Sequence, residues 1–169
     1  VHVVPTQDGT SVASHVLTRL LEYEHQPDDE LWLLLDTDHV TRGTHLQNFT
    51  AALKEAKQKG VHVALSRPCF EFWLLLHHAE GGVEDLPNAS AVEAALRQYL
   101  GEYNKTRLKK DHFPVKAVAS AFRRAELLDG LVDSGEIPGR NTSRVYQLWR
   151  SILAKSLPTQ IPAELRELL

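Results

Sequence analysis

The sequence predicts an α/β fold, a parallel sheet flanked by helices with a mostly helical C-terminal half. Two apolar runs of strand length, LWLLL and VHVALS, are separated by a stretch of helical length. Alternation of that kind implies right-handed crossovers and parallel strands. Beyond residue 80 only helical periodicity remains. With 169 residues, 43% of them apolar and 24% charged, the chain is long enough to bury a real core. The reading is a single domain, 1–169, in which residues 1–80 form the α/β core and 81–169 a helical extension packed on it.

In chain order, VHVVP is expected as a short first strand. A helix follows over residues 11–25, with Val12, Val16, Leu20 and Leu21 inward. Asp28 and Asp29 mark a turn before LWLLL, whose unbroken apolar character predicts a strand buried on both faces. That strand stops at Asp36. The spacing then predicts a helix over 44–59, closed by Gly60, the residue that adopts a left-handed cap most easily. VHVALS is the next strand, so both runs end on one edge of the sheet, where ligands bind in open α/β sheets. Pro68 suits a first helical turn, and FEFWLLLHH carries apolar residues around most of a helix, which predicts burial. Gly81, Gly82, Pro87 and Asn88 break the chain. Three helices are expected near 90–101, 114–129 and 142–153, the last with a packing stripe of Val145, Leu148, Trp149 and Ile152. LPTQIPAELRELL is expected to form a terminal helix.

Composition excludes several classes. The single cysteine, Cys69, rules out an internal disulfide framework and a cysteine zinc cluster, and points to a reducing, cytoplasmic setting. No apolar run reaches the ~20 residues that span a bilayer, so no membrane association is expected. No signal peptide is visible, and the opening at Val1 without Met suggests a fragment. With 19 basic and 22 acidic side chains, the chain is not one that coats nucleic acid by net charge. The basic residues gather locally, in Lys105, Arg107, Lys109 and Lys110 and again in Arg123, Arg124, Arg140, Arg144 and Arg150.

The chemistry concentrates where LWLLL ends. Asp36 and Asp38 lie two apart in an extended segment, so they can project to one side. Two carboxylates there repel unless a cation joins them, and hard oxygen ligands with spare positions suit Mg²⁺ or Mn²⁺. A solvated or helix-capping pair is the plainer alternative. On the same edge lies SRPCFEFW, where Ser66 can bond at a helix entrance and Arg67 can hold a phosphate bidentately. Glu71 could approach a metal or only complement the helix dipole. Cys69 reads as a small packed residue, and His77 and His78 as hydrogen-bonded core or edge histidines.

The segment LWLLLDTD, followed by ALSRPCFEFWLLLHH and then NTSRVYQLW, resembles the RloB-like proteins over nearly the whole chain. That family is related to the Toprim superfamily of Mg²⁺-dependent nucleases, topoisomerases and primases. It occurs in prokaryotic defence loci, typically beside an AAA-type ATPase. The resemblance therefore implies a Toprim-like fold and an antiviral, phage-resistance nuclease acting on DNA or RNA with an AAA-type ATPase as partner; it leaves a homo-oligomer open. The Toprim-type D-x-D falls on Asp36 and Asp38, and the string S-x-P-C-F-E-x-W-x-L-L-H on Ser66 through His77. Asn141, Ser143 and Arg144 match the C-terminal motif. The expected site is thus Asp36, Asp38 and Glu71 in catalysis, Asp36 and Asp38 on the metal, and Ser66, Arg67, Lys105 and Arg144 on substrate. Toprim proteins also place a glutamate after a first strand that should precede VHVVP, and this sequence lacks it. Two other readings stay open. One is a regulatory module that docks the ATPase without catalysis. The other is a haloacid-dehalogenase-type phosphatase, with Asp36 as nucleophile, Asp38 as general acid and Ser66 as second motif, although no later strand offers its lysine and further acids.

Overall fold

The computed structural model describes residues 1–5, 12–40, 43–132 and 135–169. The elements run α1 (Ala13–Glu22), β1 (Trp32–Asp36), α2 (Gly43–Gln58), β2 (His62–Arg67), α3 (Phe70–Leu75), α4 (Ala89–Leu100), α5 (Val115–Gly130), β3 (Thr142–Ser143), α6 (Val145–Lys155) and α7 (Ala163–Arg166). Short 3₁₀ turns at Lys110–His112 and Pro158–Gln160 complete the described chain. The α/β class stands. No helix among the described residues is long and apolar enough to cross a membrane.

The sheet differs from the expected one at both ends. Its order is β1-β2-β3. The β1–β2 pair is parallel, in a register that sets Trp32 beside His62 and Asp36 beside Ser66. The first expected strand, VHVVP, has no regular structure: Val1 and Val3 stand exposed and only Val4 packs on the core. The third strand comes instead from far along the chain, where Thr142 and Ser143 pair antiparallel with Arg67 and Ser66. A two-residue strand carries too short a pattern for periodicity to detect, and this one occupies the stretch expected to open the last helix.

Two apolar clusters sandwich the sheet. Ala64 of β2 points into a core built from α3, α4, α5 and α6, around Phe72, Leu75, Val92, Leu96 and Phe122. Its neighbour Leu65 points the other way, into a core of Leu17, Leu33, Leu35, Phe49 and Leu53 from α1, β1 and α2. Alternation along a strand puts successive side chains on opposite faces, so β2 belongs to both cores. β1 does so only at its start, where Trp32 packs against the α3–α6 core. Leu33 and Leu35 are buried, but Leu34 between them is 43% exposed. The expected burial of both faces fails at Leu34, on the strand at the sheet edge.

The helices follow their stripes with small rotations. α1 buries Ala13, Leu17 and Leu20, and Val12, expected inward, is exposed. Ser11, where that helix was expected to begin, lies outside the described residues. Gly60 takes the positive φ of 71° expected of it after α2. α3 is only six residues long, with Glu71 through Leu75 all buried. Pro68 lies before its N-cap, Cys69, and the Arg67–Pro68 peptide is cis. From Leu76 to Ala79 the chain continues as hydrogen-bonded turns rather than as regular helix. Asn88 caps α4, its side chain accepting from the Ala91 N–H at 3.0 Å, which satisfies one of the helix's orphan donors.

Candidate functional site

The parallel register brings the ends of β1 and β2 together, and the turn after β1 fixes the acidic pair there. The Thr37 N–H donates to the carbonyls of both Ser66 and Pro68 at 3.1 Å, and the Val40 N–H closes back onto the Thr37 carbonyl. Thr37 is buried, while its neighbours Asp36 and Asp38 open into a cleft of about 760 Å³. The same cleft is lined by His39, by His45 and Asn48 of α2, by Ser66 and Phe70, and by Lys105. Its apolar wall includes Val12, Leu34 and Phe49. The exposed Leu34 of the edge strand is thus part of this surface.

The cleft is electrostatically tense. The Asp36 carboxyl is pushed up to about 6, first by loss of solvation and then by the negative charges of Glu71 and Asp38. Asp36 is still exposed by surface area, so the like charges are the firmer part of that cause. The Phe70 N–H and Lys105 pull the other way. Asp38 lies 3.4 Å from the His39 Nε2, on the outer side of the pair.

Glu71 lies behind Asp36, only 5% exposed. Its Oε1 accepts from the Tyr103 hydroxyl at 2.9 Å and lies 3.0 Å from the Lys105 Nζ. Burial would raise this carboxyl, but the bonds from Lys105, its own backbone, the Cys69 thiol and Tyr103 outweigh burial and hold it below the usual range. Lys105 in turn lies 3.0 Å from Glu93 of α4. Those two carboxylates raise the Lys105 ammonium and keep it charged. Burial, with Glu71 beside it, pushes the Cys69 thiol upward, so the cysteine is a packed residue and no nucleophile.

Of the residues expected at the site, Asp36, Asp38, Ser66 and Lys105 line one cleft and Glu71 touches it through Lys105. Several of these residues have partners within the protein. Glu71, expected in catalysis, has its Oε1 on the Tyr103 hydroxyl and the Lys105 ammonium. Ser66 is 1% exposed and its hydroxyl is bonded to Ser143 at 2.9 Å, so it is not offered to substrate. Arg67 and Arg144 do not line the cleft. The Arg67 Nη1 donates to the Pro138 carbonyl at 2.9 Å. All three Arg144 nitrogens are in use, on Asp129 at 3.0 Å and on the carbonyls of Glu136 and Gly135, so this residue ties Gly135 and Glu136 to the end of α5. His77 is buried with its Nδ1 against the Trp73 carbonyl at 2.9 Å, as a core histidine should be. Tyr103, Glu93, His39, His45 and Asn48 were not singled out from the sequence. Tyr103 stands two places before Lys105 in a loop without periodicity, and nothing local shows that it reaches Glu71.

No three His, Cys, Asp or Glu side chains converge as a ready-made metal cage among the described residues. Asp36 and Asp38 nonetheless suit a Mg²⁺-like cation. Such an ion needs only one or two protein carboxylates because it keeps several waters, and a positive charge would relieve the repulsion that raises Asp36.

The chain is an α/β domain with paired aspartates at the end of a parallel strand and a buttressed lysine from the loop after α4 beside them. The chain belongs to the RloB-like protein family, whose model matches residues 2–152. That span includes both cores, the cleft and most of α6. Neither the curated proteins nor the solved structures yield a match.

Proposed function

We propose that the Asp36–Asp38 cleft hydrolyses phosphodiesters of nucleic acid with the help of a divalent metal, as the nuclease of an antiviral defence system. The observation that carries this reading is the juxtaposition, in one cleft, of two like-charged carboxylates with a cation held across from them. Asp36 and Asp38 would hold Mg²⁺ or Mn²⁺. Bound there, the ion supplies charge neutralisation at a phosphoryl group and a lowered pKa for water. The protein's own part is positioning. Lys105, kept charged by Glu71 and Glu93, attracts a non-bridging phosphate oxygen and draws the ester toward the aspartates. Phe70, Leu34 and Phe49 give the cleft apolar walls that weaken competition from bulk water.

The Toprim relation and an AAA-type ATPase partner extend this proposal through the family resemblance. A non-catalytic ATPase-docking module is the second reading, and metal titration separates it from the first. The phosphatase reading loses support from Ser66, whose buried hydroxyl is bonded to Ser143; Thr41, the threonine that this reading takes just beyond Asp38 in LLLDTDHVT, lies outside the described residues.

Calorimetric titration with Mg²⁺ or Mn²⁺, run on the wild type and on Asp36→Ala/Asp38→Ala, is the direct test, joined to an assay for metal-dependent cleavage. Binding and cleavage that both vanish in the double variant are expected. No binding and no cleavage by the wild type, with or without an ATPase partner, would leave the docking module as the function.

A further inference from the structure

The connection between α4 and α5 carries charge opposite to that of the molecule. The chain's net charge is −3, yet Asn104 to Asp111 holds Lys105, Arg107, Lys109 and Lys110 against the single acid Asp111. Every residue of that stretch is exposed. A basic run is ordinarily just a solvated surface. Two features set this one apart.

First, the segment is held in shape and anchored at both ends. The Asn104 side chain accepts from the Thr106 N–H at 2.9 Å and from its hydroxyl at 2.8 Å, and the Arg107 N–H closes onto the Asn104 carbonyl at 3.0 Å. At the near end Tyr103 and Lys105 are fastened to Glu71. At the far end, Phe113 packs edge-on against the rings of His77 and His78, with centroids 5.2 and 5.7 Å away. Second, the run begins in the acidic cleft, since Lys105 is part of its lining. Lys105 is ion-paired with Glu71 and Glu93, and Lys109 with Glu102. Arg107 and Lys110 have no ion-pair partner among the described residues. Chain geometry keeps them close, because five residues span at most about 18 Å.

We propose that Asn104–Asp111 is the surface along which a nucleic-acid strand enters the acidic cleft, with Arg107 and Lys110 on its backbone phosphates. The proposal rests on the cleft being a phosphodiester site, and it makes the substrate a polymer rather than a small phosphate ester. A small ester is served by the cleft alone and gains nothing from cations outside it. A polynucleotide carries a charge at every phosphate, and each cation that meets one releases condensed counterions. Arginine adds a planar fork that fits a phosphate bidentately. Both contacts read the backbone, so the recognition is independent of base sequence.

The test compares the wild type with Arg107→Gln/Lys110→Gln, both substitutions lying on exposed positions. A fluorescent single-stranded oligonucleotide is titrated in chelator across a series of salt concentrations, and Mn²⁺-dependent hydrolysis of bis(p-nitrophenyl) phosphate is followed separately. The expected result is weaker oligonucleotide binding by the variant, a salt slope reduced by about 0.7 for each lost contact, and unchanged hydrolysis of the small diester. Equal affinity and equal slope for the two proteins would overturn the proposal, even if both hydrolyse the diester. Conversely, a slope that falls in the variant while the wild type does not hydrolyse the diester would uphold the strand surface and remove the hydrolytic reading of the cleft.

Discussion

At the residue scale, Asp36 carries the sharpest expectation. Its carboxyl moves from 3.8 to about 6 in the folded chain. The folded state therefore binds a proton more tightly than the unfolded state does. The corresponding stability is fully present below pH 4 and is lost as pH rises from about 4 through about 6. Asp36→Asn removes the ionisation. In chelator, its melting temperature should track the wild type at the acid end, rise above it across that window and hold a constant lead at higher pH. Because Asp36 keeps contact with solvent, the lead should be smaller than full burial would give. A divalent cation should shrink it by stabilising the wild-type carboxylate alone. Melting curves at a series of pH values, with and without Mg²⁺, check both statements; a constant offset at every pH would remove the charge repulsion from the account. The acidic pair was legible in the sequence because LWLLL ends abruptly on it, and a strand end is where polar groups have a reason to stand. The roles of Arg67 and Arg144 were not legible. A guanidinium bound to backbone carbonyls looks, in sequence, like one awaiting phosphate.

At the scale of elements, the loop from Gly101 to Phe113 is tied to α3 by one buried acceptor. The Tyr103 hydroxyl and the Lys105 ammonium converge on the Glu71 Oε1. Tyr103→Phe keeps the ring and deletes one donor to a buried carboxylate, so the expected loss is about 1–3 kcal/mol, read as a lower urea midpoint at unchanged m-value. The same variant should raise the Glu71 carboxyl, since the hydroxyl is among the bonds that hold it down. If Tyr103→Phe were as stable as the wild type, the loop would be held by Lys105 and Phe113 alone. Most helices were readable at this scale because each has an apolar stripe and several have start or stop signals: Gly60 after α2, Asn88 before α4 and Gly101 after it. α3 was overread. FEFWLLLHH is apolar all round, and periodicity gives no boundary for such a run. β3 was missed for the opposite reason, since two residues make no pattern and Thr142 and Ser143 owe their pairing to β2, far away in sequence.

For the whole molecule, the question is whether the two cores unfold together. β2 joins them, with Ala64 in the α3–α6 core and Leu65 in the α1–α2 core. All three tryptophans report on the first: Trp73 is within it, and Trp32 and Trp149 pack against it. Leu65, 2% exposed, belongs to the second. Leu65→Ala should destabilise by about 2–5 kcal/mol through lost burial and the cavity left behind. In a single domain, that loss must appear equally in tryptophan fluorescence, which is weighted toward the other core through Trp73 and Trp149, and in far-ultraviolet circular dichroism, which sees every helix. Coincident transitions at a lowered urea midpoint are therefore expected from both probes. The reading of 1–169 as one domain would fail if the fluorescence transition stayed at the wild-type midpoint while an earlier phase appeared in circular dichroism. The α1–α2 half would then be a separate unit leaning on the helical one. The distinction bears on the cleft, because Asp36 ends and Asp38 follows a strand of the α1–α2 core whereas the carboxylate partners of Lys105 lie on α3 and α4. Only if the cores melt as one does the cleft keep its opposing charges in place for as long as the protein is folded.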